Sequence, residues 1–348
     1  MNLALQGGGA HGAFTWGVLD ALLEDGRIDI EGVSATSAGS MNAVMMAQGL
    51  KAGGFEGARE LLSTFWHRVA RAGNVFSPAQ TSAADKLHEY NPYLASLMRW
   101  SINPSAAYGS LAALSSPLSP YQFNPYDLNP LRDIVEDLVD FDAVRSCTEA
   151  KLFITATNVE TGQPRIFTTP EITADVIMAS ATLPTIYKAV KIGKSHYWDG
   201  GYMGNPSLWP LFYKAETKDI LLVHVNPIIR KDVPKDAMSI ENRVNEITFN
   251  APLLHELRAI AFVQKLLADG MLKDEFQHLY KDIHLHAIRA EEAMSSLLVA
   301  SKFDTSWPFL QKLKDFGRDH GQMWLKRHFD DVGVQSSIDI QAEYLSKA

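Results

Sequence analysis

Cysteine is nearly missing from this chain of 348 residues: Cys147 stands alone, which excludes an internal disulfide and a cysteine-built metal cage. By itself Cys147 reads as a small core hydrophobe. Positive charge is not in excess either, with 32 Lys and Arg against 40 Asp and Glu and a formal net charge of −8. Nucleic-acid binding needs a basic face, so nucleic acid is not an expected partner. For the same reason, contact with anionic lipid would have to come from apolar surface. No apolar run is long enough to span a bilayer, and Met1 leads into Asn2 and a glycine turn with no basic segment before it. The expected location is the cytoplasm, with peripheral contact at membranes.

The pattern along the chain alternates between strand and helix periods. "LALQ" reads as a buried strand, "GGGAHG" as a turn, and "HGAFTWGVLDALLEDG" as a helix ending at Gly26 with Phe14, Val18, Leu19, Leu22 and Leu23 on its inner face. "IEGVSATS" is a second strand and "AGSMNAVMMAQGL" a second helix. This order predicts an α/β fold with a mostly parallel central sheet between helices. From Gly73 to about Pro130, repeated prolines break the pattern into an irregular, lid-like insertion. A helix ("LRDIVEDLV"), a strand ("KLFITATNV"), a helix halted by Pro184, a hairpin or strand over Lys188 to Trp198 and the strand "DILLVHVNP" follow. The expected division is a catalytic domain over 1–230, carrying the insertion at 73–130, and a mainly helical region over 231–348 that adds one strand at 283–288.

Two chemistries want the opening glycines. Gly7, Gly9 and Gly12 match G-x-G-x-x-G after a strand and before a helix, the local context of a dinucleotide loop. The same N–H groups could instead face the oxyanion of an acyl-transfer intermediate. A dinucleotide site also needs an acid at the carboxyl end of the second strand. Asp29 and Glu31 lie at the other end, and the carboxyl end holds Ser37 within "ATSAGS". Ala35 and Gly39 flank Ser37 as the small residues that a nucleophile elbow requires. A helix-capping serine, with Ser34 and Ser40 as neighbours of no chemical role, is the plainer alternative. The partner base is sought in "YWDGGYMGNP", where Asp199 precedes Gly200 and Gly201; read alone, Asp-Gly-Gly is a β-turn. His196 is three residues from Asp199 and would point to the opposite face of a strand, which argues against a triad. His284 and His286 share a strand face, without an evident third metal ligand.

With these motifs in order, the chain resembles the patatin-like phospholipases, lipid acyl hydrolases with a Ser-Asp dyad. "GGGAHG" is similar to the family's glycine-rich oxyanion loop, "ATSAGSMNA" to its elbow and "WDGG" to its Asp-Gly-Gly/Ala motif; Ser180 and Pro184 of "MASATLPTIY" fall at usual positions. The resemblance implies a three-layer patatin-like fold, Ser37 as nucleophile and Asp199 as base. It also implies oxyanion donors among Gly7, Gly8, Gly9, Gly12 and Ala38, and neither metal nor organic cofactor. The expected substrate is a lipid or other acyl ester, met through the apolar insertion. A thioesterase, acyltransferase or polyester depolymerase could use the same dyad, and a nucleotide-binding module is the alternative of a different class. Two departures stand out. Ala35 replaces the first Gly of G-x-S-x-G, and His11 stands where the family commonly has Arg or Lys, which could tie activity to the protonation of His11.

Overall fold

The computed structural model describes residues 1–74 and 119–345, apart from positions 231, 278, 295, 296 and 298. Most of the insertion expected at 73–130 lies outside the described residues, including the apolar stretch assigned to lipid contact.

One eight-stranded sheet organises the rest. Its strands are β1 (Asn2–Leu5), β2 (Gly32–Ala35), β3 (Lys151–Asn158), β4 (Pro164–Thr168), β5 (Val190–Ile192), β6 (Ser195–Asp199), β7 (Asp219–His224) and β8 (His284–Arg289). The order is β5-β6-β3-β2-β1-β7-β8, with β4 also paired to β3. Strands β3, β2, β1, β7 and β8 run parallel, whereas β4 and β6 are antiparallel to β3. The central strands are apolar on both faces, as a strand covered by helices on each side must be. Along β1, Leu3 and Leu5 enter one core and Ala4 the other; along β7, Leu221 and Val223 alternate with Ile220 and Leu222.

Seven helices of six or more residues are labelled here: α1 (Gly12–Asp25), α2 (Ala38–Asn74, bent at Gly53 and Gly54), α3 (Pro130–Leu138), α4 (Ala174–Ser180), α5 (Trp209–Lys214), α6 (Ala237–Ala268) and α7 (Trp307–His328). Helix α1 stops where Gly26 takes a left-handed conformation, as its sequence signals. Helices α1, α2 and α7 cover one face of the sheet with Phe14, Leu19, Met41, Met45, Leu310 and Trp324. Leu211 of α5 and Leu253, Leu257 and Ile260 of α6 cover the other. The result is the three-layer arrangement expected from the alternating sequence.

The C-terminal region is built into this arrangement: β8 extends the sheet beside β7, and α7 lies directly on α1. That approach is close because Gly17 and Gly317 face each other's helix, where a Cβ on either would strike main-chain oxygen of the other. Asp20, buried on α1, receives Arg59 of α2 at 2.9 Å and also Arg318 of α7, so one carboxylate ties three helices together. Helix α6 begins well before the segment "LLHELRAIAFVQKLLADG" that its periodicity marks, and continues through Pro252. Pro252 masked the earlier half of this helix in the sequence, because an interior proline is ordinarily a stop signal.

Candidate active site

Sheet register alone brings three loops to one level. Leu5 pairs with Ala35, and Ala35 with Ile154. Gly7 and Ser37 each lie two residues beyond that row, and Asp199 pairs with Ala156, two residues beyond Ile154. The glycine loop, the serine turn and the Asp-Gly-Gly turn therefore meet at the carboxyl edge of the parallel strands, where open α/β sheets place their sites.

Ser37 occupies the sharp turn between β2 and α2 with φ of 55°, a left-handed conformation rare outside glycine. Several contacts hold it there. Its N–H donates to Ser180 Oγ at 2.9 Å, the Gly39 N–H donates to the Thr36 carbonyl at 2.9 Å, and Thr36 Oγ1 donates to the Gly204 carbonyl at 2.7 Å. Gly39 is required because a Cβ there would strike the Leu5 carbonyl oxygen. The methyl of Ala35 is fully buried in the core beneath the turn, so the missing glycine leaves the elbow intact. The Ser37 hydroxyl lies near enough to the Asp199 carboxylate to favour its charged form.

Asp199 ends β6 and is almost wholly buried, at 1% exposure. One carboxylate oxygen accepts the Gly201 N–H at 2.7 Å, and the main chain is fixed by Thr182 and Thr157 at 2.8 Å each. Burial pushes its pKa up to about 6, against the opposing pull of the Gly201 N–H, the Ser37 hydroxyl and the positive charge of Lys302. A carboxylate so placed is ionised at neutral pH and still basic enough to accept a proton.

The glycine loop divides its work unevenly. Gly7 is not a free donor, contrary to the expectation for an oxyanion loop: its N–H donates to Asn205 Oδ1 at 2.7 Å. Its contribution is closeness, since a Cβ at Gly7 would lie 2.6 Å from that of Ser37. Gly12 is also occupied, its N–H turned back on the Gly9 and Ala10 carbonyls while its Cα packs against Ala38. Among the described residues, the N–H groups of Gly8, Gly9 and Ala38 meet no protein acceptor. His11 is buried, its Nε2 2.7 Å from Ser301 Oγ. Desolvation, aided by the charges of Lys302 and Arg230, pushes its pKa down to about 3. Burial thus favours the neutral form of His11.

The remaining sequence candidates have structural partners. Ser34 Oγ donates to the Ser207 carbonyl, and Ser40 Oγ to the Ser37 carbonyl at 2.6 Å. His196 points away to Glu160, 2.7 Å distant at the surface. His284 and His286 both hydrogen-bond Asp219, at the opposite end of the parallel strands. Glu31 accepts the N–H groups of Glu216 and Thr217 and pairs with Lys151. Cys147 is buried, with its thiol pushed up by desolvation.

Sequence reasoning passed over Gln6, Asn205 and Asn226. Gln6 Oε1 accepts the N–H groups of Val225 and Asn226 at 2.7 and 2.8 Å, and Asn226 Nδ2 donates to the Gly7 carbonyl at 2.7 Å. Both asparagines precede a proline, which reads as a turn signal and hides their role in shaping the glycine loop.

The family model described as "Patatin-like phospholipase" matches residues 3–212, a stretch that contains the glycine loop, Ser37 and Asp199. The chain belongs to the patatin-like phospholipase family. Membership places this patatin-like protein among the lipid hydrolases. No curated protein matches it in sequence. Among solved structures it is similar to VipD from Legionella pneumophila, at 15% identity and a TM-score of 0.43, covering 99% of this chain and 72% of that one. It is also similar to the type III effector protein ExoU, at 14% identity and a TM-score of 0.33, covering 94% of this chain and 53% of the other. A third similar structure is ExoU in complex with SpcU from Pseudomonas aeruginosa, at 18% identity and a TM-score of 0.31, covering 72% of this chain and 50% of that one. The chain thus spans about half the length of ExoU. No helix among the described residues is long and apolar enough to cross a membrane.

Proposed function

We propose that this patatin-like protein hydrolyses carboxylic esters of lipids with Ser37 as nucleophile and Asp199 as general base. The observation that carries the reading is a serine held in a left-handed turn next to a buried carboxylate that is raised to about 6 and whose charged form the serine helps to hold. Asp199 takes the Ser37 proton as Oγ attacks the acyl carbonyl carbon. The resulting oxyanion accepts from the N–H groups of Gly8, Gly9 and Ala38, and the start of α2 adds a favourable dipole. Collapse expels the alcohol, which takes the proton back from Asp199. Water, deprotonated by the same carboxylate, then attacks the acyl-enzyme and releases the fatty acid.

The division into a catalytic domain over 1–230 and a C-terminal region over 231–348 belongs to the same proposal, as does lipid contact through the insertion. A dinucleotide loop is disfavoured by the Gly7 N–H, which is committed to Asn205, and by a serine where the ribose-binding acid would stand. The test is fatty-acid release from a phospholipid by the intact protein, Ser37→Ala and Asp199→Asn. Release by wild type alone supports the reading, and release by Ser37→Ala at the wild-type rate defeats it.

A further inference from the structure

Lys302 reaches the site from beyond the family-matched stretch, on a helical turn over Val299–Phe303. Its carbonyl oxygen sits over Gly9, where a Cβ would strike it, while its neighbour Ser301 holds His11. The turn is therefore clamped onto the glycine loop. From there the side chain runs to α6, where Nζ donates to Asn245 Oδ1 at 3.1 Å and lies 5.5 Å from the centroid of the Phe249 ring. Phe249 packs in turn on Gly201, the residue whose N–H holds the Asp199 carboxylate. The ammonium thus stands between the glycine loop and the carboxylate loop, near enough that it and Asp199 feel each other's charge.

This placement is not that of a structural ion pair. Glu246, an acid whose charge also reaches Lys302, is already engaged by Arg230 at 2.5 Å and Arg243 at 3.2 Å. Among the described residues no carboxylate bonds Lys302 directly, and Asn245 takes only one of its three N–H groups. Burial lowers its pKa to about 8, which leaves it mostly charged at neutral pH. A half-buried cation with donors to spare, clamped against the glycine loop and coupled to Asp199, suits an anionic group on the substrate. His11 brings no charge to the glycine loop, and Lys302 delivers one from a distant part of the chain.

We infer that Lys302 binds the phosphodiester of a glycerophospholipid substrate, and so sets a preference for phosphate-bearing acyl esters over uncharged ones. This rests on the Ser37–Asp199 reading. The experiment compares the full chain with Lys302→Met and Lys302→Arg on dioleoyl phosphatidylglycerol and on dioleoylglycerol in the same mixed micelles. Loss of a charge-assisted hydrogen bond is worth about 10- to 100-fold. Lys302→Met should therefore lower kcat/KM on the phospholipid at least about tenfold more than on the diacylglycerol, chiefly through KM, and Lys302→Arg should recover most of the loss. Equal losses on both lipids, or no loss on either, would overturn the inference; equal losses with a displaced pH profile would mean that Lys302 acts through Asp199. Inorganic phosphate should compete at the same cation, eroding the preference of wild type and leaving that of Lys302→Met unchanged; erosion of equal size in both would count against the inference. Fluorophosphonate labelling of the same samples separates the two levels: labelling that survives Ser37→Ala sinks the dyad reading, whatever Lys302 does.

Discussion

Replacing Asp199 by Asn should abolish hydrolysis and at the same time stabilise the fold, with a pH dependence that follows from burial. The carboxyl has an ordinary value of 3.8 and is raised to about 6 in the folded protein, mainly by desolvation. Below pH 3.8 it is neutral in both folded and unfolded chains and imposes no penalty. As pH climbs toward 6 the unfolded chain ionises first, so stability falls, and above that value the loss levels off. A shift of this size corresponds to about 3 kcal/mol, since each unit is about 1.4 kcal/mol. Asn keeps the oxygen that accepts the Gly201 N–H and presents an amide to Ser37, so neither partner is stranded. Asp199→Asn should match wild type near pH 4 and exceed it by up to about 3 kcal/mol at pH 8, a rise in Tm of a few degrees for a chain of this length. Paired calorimetric melts across that pH range read the difference, and kcat/KM of wild type on a soluble ester should show an acid limb near 6. A difference in Tm that does not change with pH, or a variant less stable than wild type at pH 8, would refute the reasoning.

Ser180→Ala leaves the Ser37 N–H without its acceptor in a strained turn, and should cost about 1–3 kcal/mol of stability and about tenfold or more in kcat, read from melts and steady-state kinetics on one preparation. Asp20→Ala removes the buried carboxylate that Arg59, Arg318 and Lys314 share where α1, α2 and α7 meet, leaving the two arginines to the more exposed Glu24 and Glu56. It should lower stability by about 3 kcal/mol in urea melts, with activity retained below the transition.

Much of the fold could be read from the sequence because its signals were local. The buried strand before the glycines, the helix closed by Gly26 and the small residues around Ser37 each announce their own geometry. Residues Ser37 and Asp199 were legible for the same reason, as each sits in a short motif dictated by its turn. Long-range pairing was not. That the Gly7 N–H is taken by Asn205, that His11 is buried under Ser301, and that Lys302 comes to the glycine loop all depend on contacts across roughly 200 to 290 positions. No periodicity records such contacts. Helix α6 was half hidden for another reason, since its interior proline carries the signature of a break and here is accommodated.

The central claim is that Ser37 is activated by Asp199. Its most direct measurement is fluorophosphonate labelling of the intact protein, with the modified residue located by mass spectrometry. Wild type should carry the label on Ser37, Ser37→Ala should carry none, and Asp199→Asn should label slower by about 100-fold or more. A label on another serine, or equal labelling of Ser37→Ala and wild type, would contradict it.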